Sequence, residues 1–253
     1  MGGPYWLRAD SLAFPPASLA CDDPPGLLAV GGDLTPDRLL TAYSQGIFPW
    51  FDDNSPILWW CPDPRMVLAP SEVHVSRSMH RFIQRHCLGV DADLSISMDQ
   101  NFAAVIRHCA DLRQHREGTW ITTDMQNAYQ QLHTLGFAHS LEIWQCGGSG
   151  KQTLVGGLYG VALGRMFFGE SMFSLIPNAS KLAFIALARQ LEDWGYCLID
   201  CQLPTDHLAS LGAKPMPREV FLQRLVSNQS DINTESASHW EFSAQLLTTR
   251  SNL

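Results

Sequence analysis

The sequence predicts a mixed α/β fold, and three stretches of it carry the prediction. Between Arg165 and Gln202 an aromatic strand, a helix and an apolar strand succeed one another on short links. That is the pattern of a crossover between neighbouring parallel strands. From about residue 92, apolar runs alternate as strand, helix, helix, strand, strand, strand, helix, strand, helix. Residues 1–68 differ, being proline-rich and aromatic with short runs, and read as a small N-terminal domain. A larger domain over 69–228 and a loose polar tail over 229–253 complete the expected layout.

In order, residues 1–30 are extended chain, broken by Phe14-Pro15-Pro16 and Pro24-Pro25-Gly26, with one strand over 27–30. Thr35 suits an N-cap and Pro36 the first turn of a helix over 37–45, which Gly46 stops. A compact apolar loop over 47–51 precedes a strand over 57–60, and Pro62-Asp63-Pro64-Arg65 turns into a strand over 66–68. The segment 75–86 is the basic one. On a helix it places Arg77, Arg81 and Arg85 on one face and Met79, Phe82 and Ile83 on another. Three charges on a helix usually mean a solvated face, but on an acidic chain they also suit phosphate.

A strand over 92–97, a helix over 100–112, a loop over 117–121 and a helix over 124–135 stopped by Gly136 come next. The strand over 138–145 alternates Leu141 and Ile143 against Glu142, as a half-buried sheet does. A flexible turn over 147–152 joins it to an antiparallel partner over 153–163. After the crossover, short helices over 205–211 and 218–225 close the fold. The strand order matches an N-acetyltransferase-like mixed sheet.

Composition excludes several classes. The 253 residues are 45% apolar and 17% charged, an ordinary globular balance. A net charge of −8 argues against coating nucleic acid non-specifically while leaving room for a local basic patch. Seven scattered cysteines without a CxxC pair read as free thiols in a reducing compartment. The opening residues lack a signal peptide's basic leader and apolar run, and no apolar stretch is long enough for a membrane span, so a cytoplasmic protein is expected. Nine histidines include none at metal-ligand spacing, and His133 and His139 read as surface or helix-end residues. A monomer is the default.

Val155-Gly156-Gly157-Leu158-Tyr159-Gly160 lies on a strand, so it is neither a P-loop nor a dinucleotide fingerprint; its glycines mark a bulge or a close backbone approach. Ser171 lacks the second glycine of a nucleophile elbow. Strand alternation puts Asp200 and Gln202 on one face and Cys201 on the other. The pair reads either as a hydrogen-bonded strand end or as a site receiving a proton or hydrogen bond from an amine. Glu170, one strand away, favours the site, because acids beside an apolar pocket suit a cationic amine.

The following stretches resemble the leucyl/phenylalanyl-tRNA–protein transferase family: Gly26-Leu-Leu-Ala-Val-Gly-Gly-Asp-Leu34, Gly46-Ile-Phe-Pro-Trp-Phe51, Trp59-Trp-Cys-Pro-Asp-Pro-Arg65, Ser76-Arg-Ser-Met79 and Glu117-Gly-Thr-Trp-Ile-Thr122. So do Gly156-Gly-Leu-Tyr-Gly160, Phe168-Gly-Glu-Ser-Met-Phe-Ser174, Asn178-Ala-Ser-Lys181, Leu198-Ile-Asp-Cys-Gln202 and Ser210-Leu-Gly212. The resemblance spans residues 10–226, departing at the longer turn over 145–152 and in the tail.

The resemblance implies an acetyltransferase-like domain that uses no coenzyme A. It implies transfer of Leu or Phe from aminoacyl-tRNA to acceptor proteins with N-terminal Arg or Lys, marking them for degradation. The aminoacyl ester is already activated, so no ATP, metal or organic cofactor is implied. Asp200 and Gln202 would handle the attacking amine, Asp200 orienting Gln202, while Glu170 hydrogen-bonds the α-amino group of the transferred residue. Phe167, Met172, Leu187 and Ile199, with Phe173 among the substrate contacts, would form an apolar pocket that rejects β-branched side chains. Trp50, helped by Tyr43, Trp120 and Tyr129, would stack on the terminal adenosine. Arg65, Arg77, Arg81 and Arg85 would meet acceptor-stem phosphates. Two other readings compete: a coenzyme A-dependent N-acyltransferase of the same fold, and a non-catalytic RNA-binding adaptor with an aromatic platform.

Overall fold

A computed structural model of the chain describes residues 3–114, 120–148, 150–229 and 240–248, which build two sheets. The first comes from β1 (Tyr5–Leu7), β2 (Leu27–Gly31), β3 (Phe48–Pro49) and β4 (Leu58–Trp60), with α1 (Pro36–Ser44) between β2 and β3. Its strand order is β1-β2-β4-β3. Strand β1 was not expected, because Tyr5 and Trp6 are exposed and give no alternation to read. Helix α1 starts at Pro36 as expected, although the Thr35 hydroxyl donates to Asp33 Oδ1 instead of capping the helix.

The second sheet has seven strands. Its elements are β5 (Arg65–Leu68), α2 (Arg77–Ile83), β6 (Leu94–Met98), α3 (Phe102–Gln114), α4 (Thr123–Thr134), β7 (Ala138–Cys146), β8 (Gln152–Leu163), β9 (Met166–Ser174), α5 (Ala179–Asp193), β10 (Leu198–Gln202), α6 (Asp206–Ser210), β11 (Lys214–Met216) and α7 (Arg218–Gln229). A π turn over Gln84–Leu88 prolongs α2. The order is β11-β5-β10-β9-β8-β7-β6. Strands β9 and β10 run parallel, joined by α5 as the crossover pattern predicts. The other described pairs in this sheet are antiparallel.

Apolar side chains cover both faces of the large sheet. Helix α5 is buried along most of its length, and Phe167, Leu187 and Ile199 belong to the core on its side. Helices α3 and α4 supply the opposite core, with Phe102, Val105, Tyr129, Phe168 and Phe173. This double cover corrects the expectation of a half-buried β7. Glu142 is fully buried, accepting the hydroxyls of Ser97 and Ser140 and the first backbone N–H groups leading into α3. A buried carboxylate survives only with such donors around it.

Two boundaries shift. The expected division after residue 68 leaves β5 with the small domain, yet β5 pairs with β10 and β11 inside the large sheet. The tail was expected to be loose from 229, but residues 240–248 pack against the body. Trp240 is 8% exposed and stacks on His139 at 3.7 Å, and Arg189 Nη1 donates to the carbonyls of Leu246 and Leu247. His139 is accordingly a buried residue bonded to Asp99, not a surface one. Parts of the expected loop (117–119), turn (149) and tail (230–239, 249–253) lie outside the described residues. Among the described residues no helix is long and apolar enough to cross a membrane.

The glycines of β8 are explained by the chain itself. A Cβ on Gly160 would sit 2.2 Å from the Phe168 carbonyl oxygen and 2.5 Å from the Phe167 ring, and the β8–β9 register shifts between Tyr159 and Gly160. On Gly156 it would meet Ala179 Cβ at 2.5 Å, so this glycine is what lets α5 lie close on the sheet. Gly160→Ala is therefore expected to destabilise the fold by about 1–3 kcal/mol or more in urea unfolding. An unchanged midpoint would refute that packing.

Candidate functional site

Strands β9 and β10 stay paired from Leu198–Met166 to Asp200–Phe168 and part beyond that point. Both deviate there. Gly160 pairs with Gly169 and Tyr159 with Ser171, which leaves Glu170 as the extra residue of a bulge. The β10–β5 register slips between Asp200 and Gln202, and Gln202 takes φ +62°, the left-handed region. The parted strands leave a cavity of about 220 Å³.

Phe167, Met172, Leu187 and Ile199, all expected, line it, together with Leu158, Phe184 and Cys201, which the sequence reading missed. Each of these had a signal: Leu158 shares its strand face with Gly156 and Gly160, Phe184 lies one helical turn before Leu187, and Cys201 stands two residues after Ile199 on the same strand face. Trp50, Trp120, Gln202, Leu203 and Thr205 line the cavity as well. Trp50 is 40% exposed and meets Trp60 edge-on at 5.4 Å.

Glu170 sits in the cavity wall, buried. Its Oε1 accepts the Tyr43 hydroxyl at 2.7 Å and Gln202 Nε2 at 2.9 Å, and its Oε2 accepts the Tyr129 hydroxyl at 2.9 Å. The two tyrosine hydroxyls also touch each other. Burial, partly offset by the hydrogen bonds from Tyr43 and Tyr129, pushes the Glu170 carboxyl up to about 7. Burial first, and then the Glu170 charge, holds both phenols well above their ordinary value.

Four placements correct the sequence expectation. Tyr43 and Tyr129 are fully buried behind Glu170, so neither offers a face to an adenine. Phe173, one residue past Met172, points to the other side of the sheet and stacks on His108 of α3 at 4.9 Å. Arg65 is fully buried and out of reach of phosphates. Its Nε and Nη2 donate to the two oxygens of Asp200 at 2.8 and 2.7 Å, between the rings of Phe48 and Phe221. Burial works against the guanidinium's charge, but Asp200 outweighs it and raises the Arg65 pKa.

The fourth correction concerns Asp200 itself. Alternation from Ile199 puts Cys201 in the cavity wall and Asp200 opposite, facing Arg65, and the bulge turns Gln202 back to the cavity. Asp200 touches Gln202 through the backbone, Oδ1 accepting its N–H at 2.9 Å. Burial raises the Cys201 pKa and keeps it a thiol. Arg77, Arg81 and Arg85 are exposed along α2 and its π turn, and none of them lines the cavity.

A family model described as leucyl/phenylalanyl-tRNA protein transferase matches residues 67–226, and one described as the N-terminal domain of that transferase matches 32–63. A leucyl/phenylalanyl-tRNA–protein transferase of Nitrosospira multiformis is 59% identical over 220 residues, 87% of this chain and 90% of the relative. One from Stutzerimonas stutzeri is 51% identical over 235 residues, 93% and 98% of the two chains. A crystal structure of FemX aligns at 9% identity with a TM-score of 0.47, covering 72% of this chain and 66% of that one.

The shift at Glu170 carries a sign for stability. The folded protein holds this proton more tightly than the unfolded chain, whose carboxyl titrates near 4.5. Its contribution is therefore whole below about 4.5 and is lost as the pH climbs through about 7. Glu170→Gln, neutral throughout, should gain on the wild type by roughly 3 kcal/mol between pH 4.5 and 8 in urea unfolding. A difference that stays flat with pH would contradict a buried, proton-holding Glu170.

Proposed function

The chain belongs to the leucyl/phenylalanyl-tRNA protein transferase family, and from that premise we propose that it moves a leucyl or phenylalanyl group from tRNA to the N-terminal Arg or Lys of acceptor proteins, marking them for degradation. It is an aminoacyltransferase. The observation that carries the residue-level reading is a buried carboxylate, Glu170, set in the wall of a largely apolar cavity that Trp50 and Gln202 also line.

The side chain of the transferred residue fills the cavity against Phe167, Met172, Leu187 and Ile199, gaining about 1.5–3 kcal/mol from burial. A β-branched side chain is rejected by shape. The α-ammonium group of that residue hydrogen-bonds Glu170, which directs the ester carbonyl toward Gln202. The acceptor's α-amine attacks this carbonyl. A C–N bond forms, the C–O bond to the tRNA ribose breaks, and the proton shed by the amine passes to the departing ribose oxygen or to solvent.

Gln202 acts by orientation and electrostatics, since an amide oxygen is a very weak base. Asp200 positions Gln202 through its backbone N–H. Trp50 and Trp120 hold the terminal adenosine by stacking. Arg77, Arg81 and Arg85 meet acceptor-stem phosphates, a local basic strip on a chain of net charge −8. The ester arrives activated, so the reaction draws on no ATP, metal or organic cofactor. The enzyme works as a cytoplasmic monomer. The coenzyme A alternative loses its support, because the glycines of residues 156–160 lie within β8 and face the protein's own atoms.

Labelled Leu is expected to pass from Leu-tRNA to a peptide beginning with Arg, and RNase pretreatment should abolish the transfer. Absence of transfer from correctly charged tRNA would sink the reading. Trp50→Ala should weaken donor binding by about 1–3 kcal/mol, seen as a raised KM for aminoacyl-tRNA. Gln202→Ala should instead lower kcat by about 10²-fold at a near-constant donor KM. An adaptor that only binds RNA would show neither kinetic effect.

A further inference from the structure

Arg65 has no contact with the cavity, yet three features tie it to the cavity's edge. Its fork is spent on Asp200, and Asp200 Oδ1 also accepts the backbone N–H of Gln202. The register slips just before Gln202, which adopts a left-handed backbone (φ +62°) that a non-glycine residue enters only when its surroundings hold it there. From this posture Gln202 Nε2 reaches Glu170. The second feature is where the guanidinium lies. Its Cζ is 4.7 Å from the centre of the Phe48 ring and 4.8 Å from that of Phe221. Phe48 belongs to β3 of the small sheet, two residues before Trp50, and Phe221 to α7.

The third feature is the poor account that stability alone gives of this residue. Arg65 is fully buried, and its Nη1 finds no hydrogen-bond acceptor among the described residues. A buried ion pair rarely outperforms apolar side chains of equal volume, so stability does not require one here. A planar, forked cation held by two rings and a carboxylate does offer direction, which a lysine cannot reproduce. We propose that Arg65 is a positioning residue of the transfer site: it fixes the Asp200–Gln202 bulge against the Trp50 rim of the small sheet and so aims the Gln202 amide at the reacting ester. The proposal rests on the transferase reading.

Arg65→Lys keeps the charge and discards the fork and the plane. The expected result is a protein with a single cooperative melt, a donor KM within about threefold of wild type and a kcat at least about tenfold lower. Because Arg65 acts through Gln202, the double variant Arg65→Lys/Gln202→Ala should turn over within about twofold of Gln202→Ala alone. A folded Arg65→Lys with wild-type kcat would overturn the proposal, and so would losses that multiply in the double variant. If Arg65→Lys does not fold, Phe221→Leu, which strips one ring and leaves the ion pair, undergoes the same two measurements with the same criteria. An inactive wild type given correctly charged tRNA would sink the transferase reading; an active wild type with an unimpaired Arg65→Lys would sink this proposal alone.

Discussion

A carboxylate taken out of water must be met by donors, and the donors that meet Glu170 come from three separate elements. Tyr43 arrives on α1, Tyr129 on α4 and Gln202 on β10, while Glu170 itself stands on β9. Bringing these four groups together joins the small sheet to the large one and shapes the cavity wall in the same act. The carboxyl is left balanced near neutrality because burial and hydrogen bonding pull on it in opposite senses. A group so balanced changes charge readily when a cation lies beside it, which is what an aminoacyl ammonium group brings.

The opening exists because the β9–β10 pairing stops. Up to Asp200 and Phe168 the two strands satisfy each other's backbone, and beyond them their polar groups need other partners. The Gln202 N–H finds Asp200 Oδ1, and the bulge at Glu170 and the left-handed backbone at Gln202 turn both side chains to one edge. Behind that edge lies a second buried charge, Asp200, answered by Arg65 and screened by two phenylalanine rings. The cavity is thus largely apolar within, where α5 and β8 supply leucine and phenylalanine and β9 adds Phe167 and Met172, and its polar side chains include Glu170 and Gln202 at the two bulges and Thr205 beside them.

How far residues could be read from the chain depended on regularity. Phe167, Met172, Leu187 and Ile199, which the family resemblance implies, all stand in the cavity wall. Plain alternation would group Phe167 with Phe173 and against Met172; the extra residue of the bulge at Glu170 reverses the phase, so Met172 lines the cavity and Phe173 stacks on His108 across the sheet. Alternation puts Cys201 with Ile199 on the cavity face and Asp200 on the other, and only Gln202 departs from it, because the pairing slips between Asp200 and Gln202. The resemblance implies phosphate for Arg65 as for the other three arginines, but a motif does not reveal burial; Phe48 and Phe221, 17 residues before it and 156 after, decide that. The resemblance implies Tyr43 and Tyr129 as stacking partners of an adenosine, whereas both are buried and their hydroxyls serve Glu170.

By itself the sequence determined the mixed α/β class, the β9–α5–β10 crossover, the glycine stops after α1 and α4, and through its ordered motifs the family. These follow from local spacing, which is set by 3.6-residue and two-residue periods and by the backbone freedom of glycine and proline. Only the tertiary structure decided which polar side chains face the cavity and which stand behind it. That choice depends on two register slips and on partners far apart in the chain, and a long-range pairing leaves no trace in the spacing of neighbouring residues.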